Sequence, residues 1–190
     1  MPKVVDHEAR RRELIEASWA VIAAEGLEGV TMRKIAAAAG CTTGRLTHYF
    51  KDREALILAA LRAINDVTGE RVRKYLSGND GRESLIEAAA EALPLDGQRL
   101  AEWKVWLAFW AAAATDPDLA AENDRRQEEW LDEIRPVLSS LAPGCDAAYE
   151  AERLLALVNG LGLRAAVSPT PHNRKTARDI FERHLGAILP

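Results

Sequence analysis

The chain has 190 residues, of which 48% are apolar and 28% charged, so it can fold around a sizeable core. Its net charge of −4 argues at first against nucleic acid as a partner. The distribution of charge matters more, because residues 1–56 carry nine Lys/Arg and eight Asp/Glu, whereas residues 57–190 carry sixteen and twenty-one. The N-terminal part is therefore relatively basic beside an acidic body.

Composition also bounds the fold class and the cellular setting. Alanine is abundant and β-branched runs are absent, which predicts an all-α protein. Cys41 and Cys145 have no metal or redox spacing, and the first fifteen residues are too polar for a signal peptide. The longest apolar run, Val105 to Ala114, is about half the ~20 residues needed to span a bilayer. We therefore expect a cytoplasmic protein without a membrane, metal or cofactor partner.

Helical periodicity and helix-ending residues divide the chain into nine predicted helices. Gly26 follows the first helix, and Gly40 separates the second from the third. Pro117 begins the seventh helix, whereas Pro136 predicts a kink or break inside it. The predicted helices cover about residues 7–25, 32–39, 43–50, 52–76, 82–93, 98–115, 117–141, 146–167 and 173–188.

The stretch from Thr31 to Leu56 predicts a helix-turn-helix followed by the start of another helix. Thr31, Thr42 or Thr43, and Asp52 are suitable N-caps for its three helices. The apolar residues that would lock the first two helices at an angle are Ile35, Ala36, Ala39, Leu46 and Phe50. The other positions of the second helix hold side chains suited to base edges and phosphates, namely Thr43, Arg45, Thr47, His48 and Tyr49.

This motif resembles the TetR family of one-component transcription regulators. The residues that carry the resemblance are Thr31, Ile35, Ala36, Ala39, Gly40, Gly44, Leu46, His48 to Lys51, and Glu54 to Leu56. The C-terminal half resembles the narrower BetI-type branch, whose known members repress betaine synthesis and respond to choline. That second resemblance rests on Met1 to Lys3, Trp106 to Trp110, Pro117, Leu119, Asn159 to Leu161 and Leu163 to Ala166.

The family resemblance implies roles for residues near the motif. Arg33, on the first turn of the second helix, matches a position that reaches the major groove in some members, and its forked guanidinium suits guanine. The exposed face of the recognition helix would be Thr43, Gly44, Arg45 and Thr47. Phosphate contacts would come from His48 and Tyr49, and from Thr31, Thr42, Lys51 and Arg53 at helix starts.

Aromatic residues on the sixth predicted helix suggest where a small effector would bind. Trp103, Trp106 and Trp110 fall at i, i+3 and i+7 and so share one face, which suits either plain core packing or an aromatic box around a cation. Indole chemistry and the BetI-type resemblance both point to choline or a related small cation. The predicted effector site consists of Trp103, Trp106, Phe109, Trp110, Trp130 and Asn159.

The last two predicted helices have apolar faces that we expect to form a two-fold dimer interface. Gly160 and Gly162 would mark the close approach of another backbone. The predicted interface residues are Leu154, Leu155, Val158, Leu161 and Ala165 in the eighth helix, and Ile180, Phe181, Leu185 and Ile188 in the ninth.

Together these patterns predict a homodimeric DNA-binding regulator, most simply a repressor that a small molecule releases from operator DNA. Residues 1–51 would form a three-helix DNA-binding domain and residues 52–190 a helical ligand-binding and dimerisation bundle. The alternative is a helical small-ligand-binding protein with a vestigial helix-turn-helix. An enzyme is the weakest reading, because no Ser-His-Asp, Cys-His or paired-carboxylate arrangement is suggested.

Overall fold

The computed structural model describes residues 7–77 and 81–189, and every regular element in those ranges is an α-helix. The all-α prediction is therefore confirmed, whereas Met1 to Lys3 lie outside the described residues. The helices are α1 His7–Gly29, α2 Met32–Ala38, α3 Thr43–Tyr49, α4 Arg53–Leu76, α5 Arg82–Glu91, α6 Gly97–Ala113, α7 Pro117–Leu141, α8 Ala147–Val167 and α9 Pro171–Ile188.

Side-chain caps define the helix-turn-helix formed by α2 and α3. The Oγ1 atoms of Thr31 and Thr42 accept hydrogen bonds from backbone N–H groups three residues later, at 3.2 and 3.3 Å. Asp52 Oδ1 caps α4 in the same way, at 2.8 Å. Gly40 lies in the turn at φ 60°, a conformation that favours glycine. Thr42, rather than Thr43, is the N-cap of α3.

Two helix-breaking residues behave differently. Gly26 has φ 68° and interrupts α1, after which one further helical turn reaches Gly29. The break expected at Pro136 is wrong, because α7 continues through this residue to Leu141. Proline costs about 3 kcal/mol inside a helix. Burial of Ile134 and Leu138 on either side, at 2% and 0% exposed, holds this part of α7 in place.

The helices pack around two hydrophobic cores. The first core joins α1, α2, α3 and the first half of α4, and also takes Val105 from α6. The second core joins α5 to α9 and includes Trp103, also from α6. α4 and α6 therefore connect the two cores, and α6 packs against α1, α4, α7 and α8. Leu56, Ile57, Ala60 and Ile64 of α4 pack in the first core, although the predicted boundary assigns them to the C-terminal domain. The domain boundary at residue 51 stays a prediction.

The predicted dimer interface needs correction, because most of its residues are buried within one chain. Six of them, Leu154, Val158, Leu161, Ala165, Phe181 and Leu185, are at most 9% exposed and belong to the second core. Leu155 and Ile188 are half-buried against the same core, whereas Ile180 is 39% exposed. An amphipathic helix buries its apolar face in its own bundle first. A dimer contact through these two helices would therefore use their opposite face.

The glycine argument for this interface also changes. Gly162 is buried against Trp103 of the same chain, and a Cβ added at Gly160 would meet nothing within 4 Å. Within one chain, Gly162 therefore contacts a side chain and not another backbone, and the space beside Gly160 is open.

Cys41 and Cys145 are both free thiols and half-buried. Among the described helices, none combines the length and the apolar character that crossing a bilayer would require.

Candidate DNA interface and effector cavity

The recognition helix α3 presents its polar side chains outward. Leu46 is fully buried and fixes the helix to the first core. The side chains of Arg45, Thr47 and His48 are exposed, and a Cβ added at Gly44 would point into open space. This arrangement leaves the predicted reading face accessible over its whole length.

Three basic side chains near this face have no competing partner. Arg33, Arg45 and Lys51 are exposed and form no ion pair with any residue that the structure describes. The capping hydroxyls of Thr31 and Thr42 are also exposed, and each can still donate its own proton to a phosphate oxygen. The ends of α2, α3 and α4 thus offer donors of the kind that position a protein on a duplex.

His7, at the start of α1, also lies at this surface. Its ring centroid lies 4.4 Å from that of Tyr49 and 5.9 Å from that of His48. The His48 and Tyr49 rings are themselves 5.5 Å apart and nearly perpendicular. Nothing in the sequence signals this cluster, because it forms only when α1 crosses the end of α3.

The phosphate-contacting role predicted for Arg53 needs correction. Its Nε donates to the carbonyl oxygen of Val30 at 2.9 Å, and its Nη2 donates to that of Leu27. Its Nη1 pairs with Glu54 Oε1 at 3.2 Å. Because each of its three nitrogens already has a partner, Arg53 ties the start of α4 to the end of α1.

A cavity of about 200 Å³ lies between α4, α6, α7 and α8. Four of the five tryptophans of the chain line it: Trp103, Trp106, Trp110 and Trp130. Carboxamide side chains lie among these rings, from Asn65, Asn123, Gln127 and Asn159. An apolar wall with a few convergent polar groups is typical of a small-molecule site.

Hydrogen bonds hold two of these indoles in place. Trp103 Nε1 donates to the carbonyl oxygen of Ala92 at 2.9 Å, and Trp110 Nε1 donates to Asn123 Oδ1 at 3.0 Å. The Trp103 and Trp110 rings meet edge to face with centroids 5.6 Å apart, and the Trp106 ring lies 6.2 Å from that of Trp110. The N–H groups are thereby satisfied within the wall, which is how buried tryptophan is usually accommodated.

Phe109 does not belong to this wall, which corrects the predicted effector site. Its side chain is 1% exposed and lies in the interior away from the cavity. At 100° per residue it falls off the helical face that Trp103, Trp106 and Trp110 share. The other five predicted residues, including Trp130 and Asn159, lie together in the wall.

The wall carries more carboxylates than guanidinium groups. Its five acids are Asp66, Glu91, Glu102, Glu129 and Glu133, against Arg73 and Arg126. Arg71, behind the wall, binds Glu91 Oε2 through Nε at 2.9 Å and Glu102 Oε2 through Nη2 at 2.6 Å. Burial would lower the pKa of Arg71, but hydrogen bonds and charge from these two carboxylates raise it above its usual value. Arg71 thus joins α4 to α5 and α6 beside the aromatic rings.

Comparison with known proteins gives the same architecture. Residues 14–60 match the family model for bacterial regulatory proteins of the tetR family, and residues 81–190 match the model for the C-terminal part of BetI-type transcriptional repressors. The chain belongs to the TetR family. Its BetI-type C-terminal domain confirms the narrower resemblance as well.

The similarity to individual TetR-family regulators extends over nearly the whole chain. The regulator PksA of Bacillus subtilis is 34% identical over 197 residues, covering 99% of this chain and 94% of PksA. BetI of Yersinia pestis is 32% identical over 189 residues, covering 97% and 95%. A transcriptional regulator from Saccharomonospora viridis, solved in complex with choline, shares the fold with a TM-score of 0.79 and 24% identity, covering 93% and 97%.

Membership of the TetR family makes this protein a DNA-binding transcription regulator and not an enzyme. Its helix-turn-helix is α2 and α3, and its BetI-type domain contains most of the cavity wall. Within residues 7–77 and 81–189, no group of three or more His, Cys, Asp or Glu side chains is arranged to hold a metal ion.

Proposed function

We propose that this TetR-family regulator is a repressor that leaves operator DNA when a small molecule occupies the cavity between α4, α6, α7 and α8. This proposal rests on the observation that α4 and α6 each contact both the first core and the cavity. Ile64 of α4 and Val105 of α6 pack in the first core, whereas Val72 and Trp106 of the same helices line the cavity. An occupant that moves either helix therefore also moves the core behind α3.

The DNA contact would use α3 in the major groove. Arg45 and Thr47 would contact base edges, with Arg33 reaching from the first turn of α2, whereas His48, Tyr49 and Lys51 would set the register on phosphates. Gly44 would allow the backbone to approach the duplex closely, since nothing fills the space beside it. Two copies would read half-sites one helical turn apart, and an occupied cavity would favour a spacing that misfits them.

The second copy would bind the outer faces of α8 and α9. The described residues include five large apolar side chains that are exposed, and four of them lie on these two helices. These are Tyr149, Leu163, Val167 and Ile180, at 60%, 46%, 69% and 39% exposed. We name them the outer apolar patch. Contact with a second copy of the chain would cover this exposed apolar patch.

The effector would be choline or a related small cation. Indole faces attract quaternary ammonium groups by about 0.5–2 kcal/mol for each good contact. The five carboxylates of the wall are each paired with an arginine, so the preference for a cation rests on the indole faces. The volume of about 200 Å³ is small for a ligand pocket and suits a small effector. The similarity to BetI, and to a regulator solved in complex with choline, supports this choice.

Choline titration against the protein–operator complex tests the proposal, with tryptophan fluorescence followed in parallel. The operator sequence can be recovered by selecting bound DNA from a pool of random duplexes. As a DNA-binding regulator the protein would act in the cytoplasm, where the DNA lies. We expect release of DNA by choline in the millimolar range or below, with a change in emission. Trp110→Ala should abolish both effects without loss of folding, because it removes one wall of the cavity.

Trp19→Phe is the matched control, because Trp19 is the one tryptophan outside the cavity wall and donates instead to the carbonyl oxygen of Ala60. This variant should keep both choline effects. Release by a neutral hydrophobic compound but not by choline would refute the cation while leaving a ligand-responsive repressor. Failure to bind any duplex at any salt concentration would favour a ligand-binding protein with a vestigial motif.

A further inference from the structure

We propose that Gly162 of α8 sets the depth of the effector cavity by fixing the position of the Trp103 ring, and that it thereby decides how large an effector the cavity accepts. The inference rests on the proposed function in one respect, namely that this cavity is the effector site. Gly162 would be a positioning residue, since it acts through Trp103.

The six-membered ring of Trp103 lies directly against the backbone of Gly162. A Cβ built on Gly162 would lie 1.9 Å from Trp103 Cζ2, 2.1 Å from Cη2 and 2.7 Å from Cε2. Carbon atoms in contact normally stay about 3.5–4.0 Å apart, so any side chain at this position would displace the ring. Glycine is needed here for space, because Gly162 is buried in a regular helix with no positive φ.

The remaining surroundings of Trp103 limit where a displaced ring can go. Its indole N–H donates to the carbonyl oxygen of Ala92, and its ring packs edge to face with that of Trp110 at a centroid distance of 5.6 Å. Trp110 is held in turn by Asn123. The α8 backbone, Ala92 and Trp110 therefore bound the Trp103 ring on three sides. The free space next to the ring is the cavity that Trp103 lines. Displacement would therefore reduce the cavity volume.

Gly160 provides a natural contrast two residues earlier in the same helix. A Cβ added there would meet nothing within 4 Å. Replacing either glycine by alanine changes intrinsic helix propensity by the same amount and in favour of the helix. Any difference between the two variants therefore reports the contact with Trp103 and not the backbone.

The size of the cavity makes this contact important for selectivity. A volume of about 200 Å³ lies below the roughly 300–1,000 Å³ usual for ligand pockets. The loss of even a methyl-sized space should therefore matter most for the largest ligand that still fits. Tetramethylammonium, choline and benzyltrimethylammonium share a cationic head and increase in size, so they probe the cavity at three depths.

The experiment compares Gly162→Ala, Gly160→Ala and the double variant Gly162→Ala/Trp103→Phe in the full-length protein. Tryptophan fluorinated on the indole ring gives one fluorine NMR signal for each of the five tryptophans, and Trp103→Phe alone assigns the Trp103 signal. Calorimetric titration with the three cations gives their dissociation constants. Operator binding without cation is measured for each variant as a check on the DNA-binding part.

We expect Gly162→Ala to shift the Trp103 signal and to weaken choline binding about tenfold. The loss should be larger for benzyltrimethylammonium and smaller for tetramethylammonium. Gly160→Ala should keep the wild-type Trp103 signal and cation affinities. The double variant should recover part of the choline affinity, because phenylalanine is shorter than tryptophan. Operator binding should stay within about twofold in Gly160→Ala.

An unchanged Trp103 signal in Gly162→Ala would overturn the inference, as would equal losses for all three cations. If Gly162→Ala does not fold, the double variant decides the question. Recovery of folding and choline binding in the double variant would support the steric contact between Gly162 and Trp103, and failure to recover them would refute it. If the wild-type protein binds none of the cations, the proposed effector fails separately. The Trp103 signal and the cavity volume in a crystal structure of Gly162→Ala then decide the inference by themselves.

Discussion

Arg62 of α4 forms a two-pronged ion pair with Glu122 of α7. The Arg62 Nε to Glu122 Oε1 distance is 3.1 Å, and the Nη2 to Oε2 distance is 3.3 Å. Arg125 and Arg126 bind the same carboxylate at 2.5 and 3.2 Å. α4 begins beside the recognition helix and α7 lines the cavity, so this cluster joins the two working parts of the chain.

The cluster predicts a pH dependence of stability. Burial would raise the pKa of Glu122, but hydrogen bonds from Arg62, Arg125 and Arg126 outweigh it and lower the pKa from 4.5 to about 2. A carboxylate with a lowered pKa in the folded state stabilises the protein above its unfolded pKa. That contribution should therefore be present above about pH 4.5 and be lost as the pH falls towards 2.

Glu122→Gln should lower the free energy of unfolding at pH 7 by about 2 kcal/mol, after allowance for the half-exposed arginines. The variant should also lose less stability than the wild type between pH 4.5 and pH 2. Urea unfolding at pH 7 and at acid pH measures both effects. Asp132→Asn is the control, because Asp132 is 69% exposed in its pair with Arg135. Equal acid sensitivity in Glu122→Gln and the wild type would contradict the assignment.

The recognition helix predicts different effects for two basic residues. Arg45→Ala should relax base preference at one position in each half-site, because its guanidinium would read a base edge. Lys51→Ala should weaken binding to all sequences alike and reduce the salt slope by about one unit, because it would contact a phosphate. Gel shifts over a range of salt and on single-base operator variants separate the two. Unchanged affinity and base preference in Arg45→Ala would show that the reading face is misplaced.

His7 should act by holding Tyr49 in position against the duplex. The two ring centroids are 4.4 Å apart, so His7→Ala would free the Tyr49 ring to rotate away from the phosphate. We expect weaker binding to every sequence with the salt slope retained, because no charge contact is removed. His172→Ala, on the exposed start of α9, should have no effect. A change in the salt slope of His7→Ala would indicate a direct phosphate contact instead.

The outer apolar patch predicts the assembly state. Wild-type protein should sediment as a dimer at micromolar concentration, and Leu163→Glu should sediment as a monomer, because it places a charge in the centre of an apolar contact. Operator affinity should fall when dimerisation is lost, since the two half-sites would then be bound separately. Tyr75→Glu, at a similarly exposed apolar residue of α4, should remain dimeric. A monomeric wild-type protein would rule out this interface.

The helices and the helix-turn-helix can be predicted from local signals in the amino-acid sequence. Thr31, Asp52 and Gly40 act within three or four residues of themselves, through caps and a turn, so their signals can be read locally. The apolar positions Ile35 and Leu46 likewise follow from helical spacing and are fully buried as expected. The aromatic face of α6 was also visible, because helical periodicity places Trp103, Trp106 and Trp110 together.

What each helix face contacts could not be predicted, because it depends on how the helices pack. Periodicity identifies the apolar side of α8 but not whether it packs on its own bundle or on a second copy, and Leu154 proved to belong to the bundle. The partners of Arg53 and His7 lie more than twenty residues away along the chain, as carbonyl oxygens and as a ring. The contact between Gly162 and Trp103 joins α8 to α6 in the same way. Such contacts depend on how helices cross, which no local pattern encodes.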